Sequence, residues 1–100
     1  MKDPSQDEAP IEIEIRHEKA RSLGKAGEAL ERACEQAWKQ YRAAALGDRA
    51  AAFAFRAAYQ KARERRHVLL LQREAMGLYV HRDVDACYPM PPEPKELGIE

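Results

Sequence analysis

The chain has 100 residues, and its 17 lysine and arginine residues are balanced by 17 aspartate and glutamate residues, so its formal net charge is zero. This balance excludes a global positive field of the kind that gathers nucleic acid or coats an anionic membrane, so any such role has to come from local charge. Apolar residues make up 45% of the chain and aromatic residues only 7%. We therefore predict one globular domain with a thin, alanine-rich core.

Residues 1–9 are polar and acidic, and we predict a disordered tail because nothing apolar anchors them. They lack the basic start and the apolar stretch of a signal peptide, and no apolar run approaches the ~20 residues that span a bilayer. The two cysteines, Cys34 and Cys87, are widely separated and form no disulfide framework. We therefore expect a cytoplasmic protein without membrane association.

A single domain is predicted over residues 10–100, beginning with a long amphipathic helix over about 10–46. Apolar and small residues recur there at steps of three and four, and no proline occurs between Pro10 and Leu46. Ile11, Ile13 and Ile15 alternate with glutamates as in a strand, but an isolated strand would have no partner. Pro10 also suits the first turn of a helix. Helix is therefore the favoured interpretation of this stretch.

A turn is predicted at Gly47 and Asp48, where glycine ends the first helix and aspartate caps the next. A second helix is predicted over about 49–80, rich in alanine at its start and in leucine and valine near its end. The C-terminal segment 81–100 is expected to form a short helix over 83–88. Prolines then force an extended path, and one last turn follows over 93–97.

These elements predict an all-α fold, an antiparallel hairpin of two long helices plus a short helical, proline-rich C-terminal segment. Two helices alone enclose little core, so we expect a homodimer that forms a four-helix bundle. We expect the C-terminal segment to dock over the hairpin near Trp38, Leu70 and Leu78. The expected dimer interface lies on the narrow apolar face of the first helix: Leu23, Gly27, Leu30, Cys34, Trp38 and Tyr41.

Several short motifs follow a recognisable pattern. They are Glu14-Ile15-x-x-Glu18, Leu23-Gly24-x-x-Gly27, Leu30-Glu31, Leu71-x-Arg73-Glu74-Ala75-x-Gly77-Leu78, His81-Arg82-x-Val84 and Tyr88-x-Met90-Pro91-x-Glu93. This set resembles a family of small uncharacterised bacterial proteins, classified only as a domain of unknown function. The sequence departs from that pattern at Pro94, where the family tends to carry an aliphatic residue. The resemblance implies an all-helical fold and no particular activity.

The second helix carries the densest positive charge, since residues 49–82 contain eight basic residues and two acidic ones. Helical spacing aligns five arginines in a drifting stripe beside Tyr59, whose ring can stack on a base. The stripe consists of Arg49, Arg56, Arg63, Arg66 and Arg73. A solvated face gives the same pattern, so nucleic-acid binding is the alternative function. Lys61 and Arg65 fall inside the apolar arc, where they either extend to solvent or pair with Glu28, Glu31 or Glu35 of the same chain or of a second subunit.

Candidate catalytic and metal-binding residues form no recognisable pattern. The histidines and cysteines match no zinc or copper spacing, and a Glu14-x-x-His17 pair by itself does not make a metal site. No glycine-rich phosphate loop is present, because Gly24 and Gly27 lie within a helical pattern. We therefore predict no enzyme activity, no cofactor and no metal, and interpret the chain as a non-enzymatic helical interaction or structural module.

Overall fold

The computed structural model describes the backbone of residues 10–98 and the side chains of residues 23–98. Helix α1 spans Pro10–Ala45, α2 spans Arg49–Ala75, α3 spans Arg82–Cys87, and a short 3-10 helix spans Pro94–Leu97. The two long helices pack against each other as a hairpin, and no strand occurs between residues 10 and 98. The predicted all-α hairpin is therefore confirmed, including the helical interpretation of its first turns. The tail predicted over residues 1–9 lies outside the described residues.

The turn between the long helices follows the predicted chemistry. Gly47 has a φ of 94°, which a glycine tolerates and a branched residue resists. Its N–H donates to the carbonyl of Ala44 at 3.0 Å, and the N–H of Asp48 donates to the carbonyl of Ala43 at 3.2 Å. The carboxylate of Asp48 then accepts from the N–H of Ala51 at 3.0 Å and caps α2. Local sequence therefore specifies this reversal.

The second long helix ends earlier than predicted, at Ala75 rather than near residue 80. Gly77 takes a φ of 84°, and the N–H of Leu78 donates to the carbonyl of Arg73 at 2.9 Å. This is the hydrogen-bond pattern that closes many helices with a left-handed glycine. The apolar residues after Gly77 keep the helical spacing in sequence. For this reason the predicted second helix was about five residues too long.

The core between the two long helices consists mostly of small side chains. Leu30 and Phe55 are the largest side chains that are fully buried, and the residues described contain no buried polar or charged side chain. The other core members are Ala33, Cys34, Ala37, Ala51, Ala62, Leu69 and Val84. The predicted thin, alanine-rich core is confirmed.

A row of aromatic rings joins the long helices near the turn. Trp38 and Tyr41 have ring centroids 5.5 Å apart, Tyr41 and Phe55 are also 5.5 Å apart, and Phe55 and Tyr59 are 6.0 Å apart. All three pairs meet edge to face, the arrangement that the ring quadrupoles favour. Each such pair contributes about 0.5–1.5 kcal/mol beyond area burial, so the row helps to set the register of α1 against α2.

The C-terminal strap, which we define as residues 82–98, docks on the hairpin as predicted. Val84 is only 3% exposed and belongs to the core, and Pro91 is also buried. Trp38 donates from Nε1 to the carbonyl of Pro89 at 2.8 Å. The expectation that the strap also covers Leu78 is wrong, because that side chain remains 42% exposed. The strap turns back along the hairpin and leaves the end of α2 uncovered.

The last turn predicted over residues 93–97 is the 3-10 helix that begins at Pro94. Proline suits this first position because its missing N–H would have no partner there. The departure from the family pattern at Pro94 is therefore compatible with a helical turn.

Candidate functional site

The residues predicted as the dimer interface pack wholly or partly within one copy of the chain. Leu30 is 0% exposed, Cys34 is 5% exposed, and Gly27 is buried beneath the ring of Tyr88. Helix α2 and the strap cover most of the narrow face of α1, so its buried members have no surface left for a second copy. Of the predicted set, Gly27, Leu30 and Cys34 are buried, whereas Leu23, Trp38 and Tyr41 are half-buried, and their role in an interface between copies stays a prediction.

The strap brings two sulfur atoms together that are far apart in sequence. Sγ of Cys34 lies 3.7 Å from Sδ of Met90 and 4.0 Å from the carbonyl oxygen of Tyr88. Burial raises the pKa of the Cys34 thiol, which disfavours the thiolate that a nucleophile or metal ligand needs. Cys87 is exposed, and both cysteines line a cavity of about 340 Å³ beside Trp38. The geometry is that of a neutral thiol packed against a thioether.

His81 takes part in a structural corner after α2. Nη2 of Arg73 donates to the carbonyl of Val80 at 3.0 Å, and its Nε donates to Nδ1 of His81 at 3.4 Å. Nδ1 is then an acceptor, so Nε2 carries the proton and faces Oε1 of Glu74 at 3.1 Å. The imidazole is held between Arg73 and Glu74 by these contacts. Within residues 23–98 no group of three or more histidine, cysteine or acidic residues is placed to hold a metal ion.

The predicted arginine stripe is divided by contacts within the chain. Arg66 donates from Nε and Nη2 to Oδ1 of Asp85 at 3.0 and 2.8 Å, so it anchors the strap to α2. Arg73 holds the corner after α2, as described above. The other three arginines of the stripe are exposed and join no ion pair within the described part of the chain: Arg49, Arg56 and Arg63.

The tyrosine beside the stripe is only partly exposed. Tyr59 is half-buried against Phe55, and burial raises the pKa of its hydroxyl, with the charge of Glu93 as a further cause. Glu93 and Arg63 line the same cavity of about 620 Å³. The carboxylate places negative charge where a phosphate backbone would have to pass, which weakens this surface as a nucleic-acid interface.

Lys61 and Arg65 extend to solvent rather than pairing across the hairpin. Both are exposed, and no ion pair joins them to Glu28, Glu31 or Glu35 among the residues described. With Arg32 they line a groove of about 290 Å³ whose other walls include alanines of α1 and α2 and no residue of the strap. This supports the interpretation that long charged side chains pass over small residues to reach water.

Large apolar side chains are exposed at the end of α2. We call this surface the end patch: Val68 is 41% exposed, Leu71 52%, Leu78 42%, Tyr79 73% and Val80 67%. Two more exposed apolar residues, Leu46 at 90% and Phe53 at 78%, lie near the turn at the other end of the hairpin. Val68 and Leu71 lie in α2 as predicted, whereas Leu78, Tyr79 and Val80 lie in the loop after it because Gly77 ends the helix.

Comparisons of this chain with protein-family models, with curated proteins and with solved structures found no match. The family resemblance seen in the motifs therefore stays a prediction. In the part of the chain that the structure describes, none of the helices combines the length and the apolar character needed to cross a bilayer.

Proposed function

We propose that the chain is a non-enzymatic helical interaction module of the cytoplasm that functions as a homodimer. The observation that supports this is the end patch, with five large apolar side chains exposed within the last turns of α2 and the loop after it. Concentrated exposed apolar surface of this kind marks interaction sites in stable proteins.

The thin core gives a second reason for association. Alanines and one cysteine fill most of the space between α1 and α2, so the apolar surface area that each residue buries on folding is small. Conformational entropy costs about 1.5 kcal/mol per ordered residue, and the apolar burial of a small domain offsets this cost only narrowly. Association of two copies buries further apolar surface and stabilises the folded chain by mass action.

Nucleic-acid binding through the arginine stripe has less support. Arg66 and Arg73 are held by partners within the chain, and Glu93 lies beside Arg63. Three separated arginines beside one half-buried ring make a small electrostatic footprint.

Sedimentation or light scattering across the micromolar range tests the proposal. We expect a mass twice the 11.4 kDa of one chain and a melting temperature that rises with protein concentration. A mass of one chain with a concentration-independent melt would contradict the proposal. Adding generic duplex DNA or RNA in the same experiment tests the alternative, since binding that falls steeply with salt would favour it.

A further inference from the structure

A groove between the two long helices carries positive charge without a counter-charge. We call it the basic groove. Its volume is about 290 Å³, and it is lined by Ala29, Arg32, Ala33, Gln36, Ala58, Lys61 and Arg65. The first four of these residues belong to α1 and the last three to α2, so the groove exists only when the two helices are packed. None of the described residues that line it is acidic.

Three cations converge on the basic groove. Lys61 and Arg65 are one helical turn apart on α2, and Arg32 lines the same groove from α1. All three are exposed, and none joins an ion pair with another residue of the described range. Like charges one turn apart on a helix repel each other. An anion bound between these side chains would therefore remove an unfavourable interaction of the folded chain.

The acidic residues of α1 do not neutralise this charge. Glu31 and Glu35 line the cavity beside Trp38, which is bounded by the strap on the other flank of α1. Glu28 lies one turn before Arg32, but it does not line the basic groove and no ion pair joins the two. The α1 side of the groove is therefore positive.

The nearest acidic residue of α2 is occupied elsewhere. Oε1 of Glu64 accepts from Nε2 of Gln60 at 3.4 Å, and both side chains line a separate cavity. A cleft with charges of one sign and walls of low polarity focuses the electric field and raises the local concentration of counter-ions. The basic groove has both properties, since alanines form its walls.

The lining favours a small phosphate ester as the anion. The guanidinium of an arginine offers paired N–H donors that match two oxygens of one phosphate, and a lysine adds a compact charge. Arg32 and Arg65 bring two guanidiniums to the groove from opposite helices. The alanines provide an apolar wall for the organic part of the ligand.

Size and composition argue against a nucleic-acid strand in the same place. The volume of the groove is close to the lower limit of small-molecule sites, about 300 Å³. None of the lining residues is aromatic, so the bases of a single strand would have no ring on which to stack. The groove suits one phosphate group with a short organic part.

We propose that the basic groove binds a small organic phosphate, with the phosphate group held by Arg32, Lys61 and Arg65. The ligand contacts both long helices and therefore stabilises the packed hairpin by mass action. This inference goes beyond the homodimer of the proposed function and does not depend on it, because all the lining residues belong to one chain.

Titration of the full-length protein tests the site directly. The probes are pyrophosphate and glycerol phosphate, added at constant ionic strength, and two-dimensional nuclear magnetic resonance spectra follow the backbone amides. We expect saturable binding in which the signals of Gln36 and Ala58 shift and the signal of Arg56, which lines a different cavity, does not. The melting temperature should rise with the concentration of either probe.

Matched substitutions assign the contacts. Lys61→Gln and Arg65→Gln each remove a charge-assisted hydrogen bond and should raise the dissociation constant about tenfold or more. Arg65→Lys keeps the charge but loses the paired donors, so it should raise the constant by a smaller factor. Arg56→Gln is the control, because this arginine is equally exposed and joins no ion pair in the described range. It should bind both probes like the wild type.

Three outcomes would overturn the inference. The first is the absence of saturable shifts with either probe at millimolar concentrations. The second is equal weakening by Arg56→Gln and Arg65→Gln, which would indicate diffuse attraction of anions. The third is binding of single-stranded RNA through the groove without binding of either probe. A monomeric wild-type protein that binds pyrophosphate in the groove would contradict the proposed homodimer and support this inference.

Discussion

Two glycines in the middle of α1 offer a matched pair of substitutions. Gly24 is exposed, and a Cβ added there would meet nothing within 4 Å. Nothing in the described structure requires glycine at this position. Because a mid-helix glycine costs about 0.5–1 kcal/mol relative to alanine, Gly24→Ala should raise the free energy of unfolding by that amount.

Gly27 has the same helical cost but a different neighbour. A Cβ at this position would lie 2.8 Å from Oη of Tyr88 and 3.6 Å from its Cζ. The hydroxyl would have to retreat by about 0.6 Å to reach ordinary contact, and Tyr88 is part of the docked strap. The carbonyl of the next residue, Pro89, is bonded to Trp38, which resists such a shift. We expect Gly27→Ala to be less stable than Gly24→Ala by about 1 kcal/mol or more.

A second substitution separates the contact from other effects. Tyr88→Phe removes Oη and leaves the ring carbon at an ordinary 3.6 Å from the added Cβ. Gly27→Ala should therefore become stabilising in the Tyr88→Phe background, with a coupling energy of about 1 kcal/mol. Urea denaturation followed by far-ultraviolet circular dichroism, at one fixed protein concentration, measures all four proteins. If Gly27→Ala in the wild-type background is as stable as Gly24→Ala, the packing of Tyr88 on α1 is refuted.

Three further predictions concern the turn, the strap and the buried thiol. Asp48→Ala should lower the free energy of unfolding by about 1 kcal/mol because the N-cap hydrogen bond is lost. Asp48→Asn should retain most of this stability, because the amide oxygen can still accept the bond. Equal melting temperatures of the two variants would argue against the cap. Truncation after Arg82 should cost a few kcal/mol and increase binding of a hydrophobic dye, because it removes the buried Val84; a truncated chain that melts like the full chain would contradict docking. Burial raises the pKa of Cys34, so the folded state favours the neutral thiol. The contribution of this thiol to the free energy of unfolding is therefore present below the ordinary thiol pKa of about 8.5 and falls at higher pH. Stability of the wild type should thus decline more above that pH than stability of Cys34→Ala, and a thiol reagent should modify the exposed Cys87 first.

Local sequence signals determined most of the secondary structure. Helical spacing and the absence of internal proline predicted α1, and glycine followed by aspartate predicted the turn, because these effects depend on neighbouring residues alone. The prediction failed at the end of α2, where apolar residues beyond Gly77 outweighed the glycine that ends the helix. A glycine followed by residues that keep the apolar spacing is ambiguous until its backbone conformation is known.

The surfaces were decided only by tertiary structure. Helical periodicity shows that α1 has one apolar face, but it does not show which neighbours cover that face. Here α2 and the strap fill it, so Leu30 and Cys34 belong to the core rather than to a dimer interface. In the same way, Arg66 is not a free member of the predicted stripe, because the strap places Asp85 within hydrogen-bond distance of its guanidinium. Burial and pairing depend on residues distant in sequence, whereas helix formation and capping depend on near ones, and this difference divides what the sequence determined from what the packing decided.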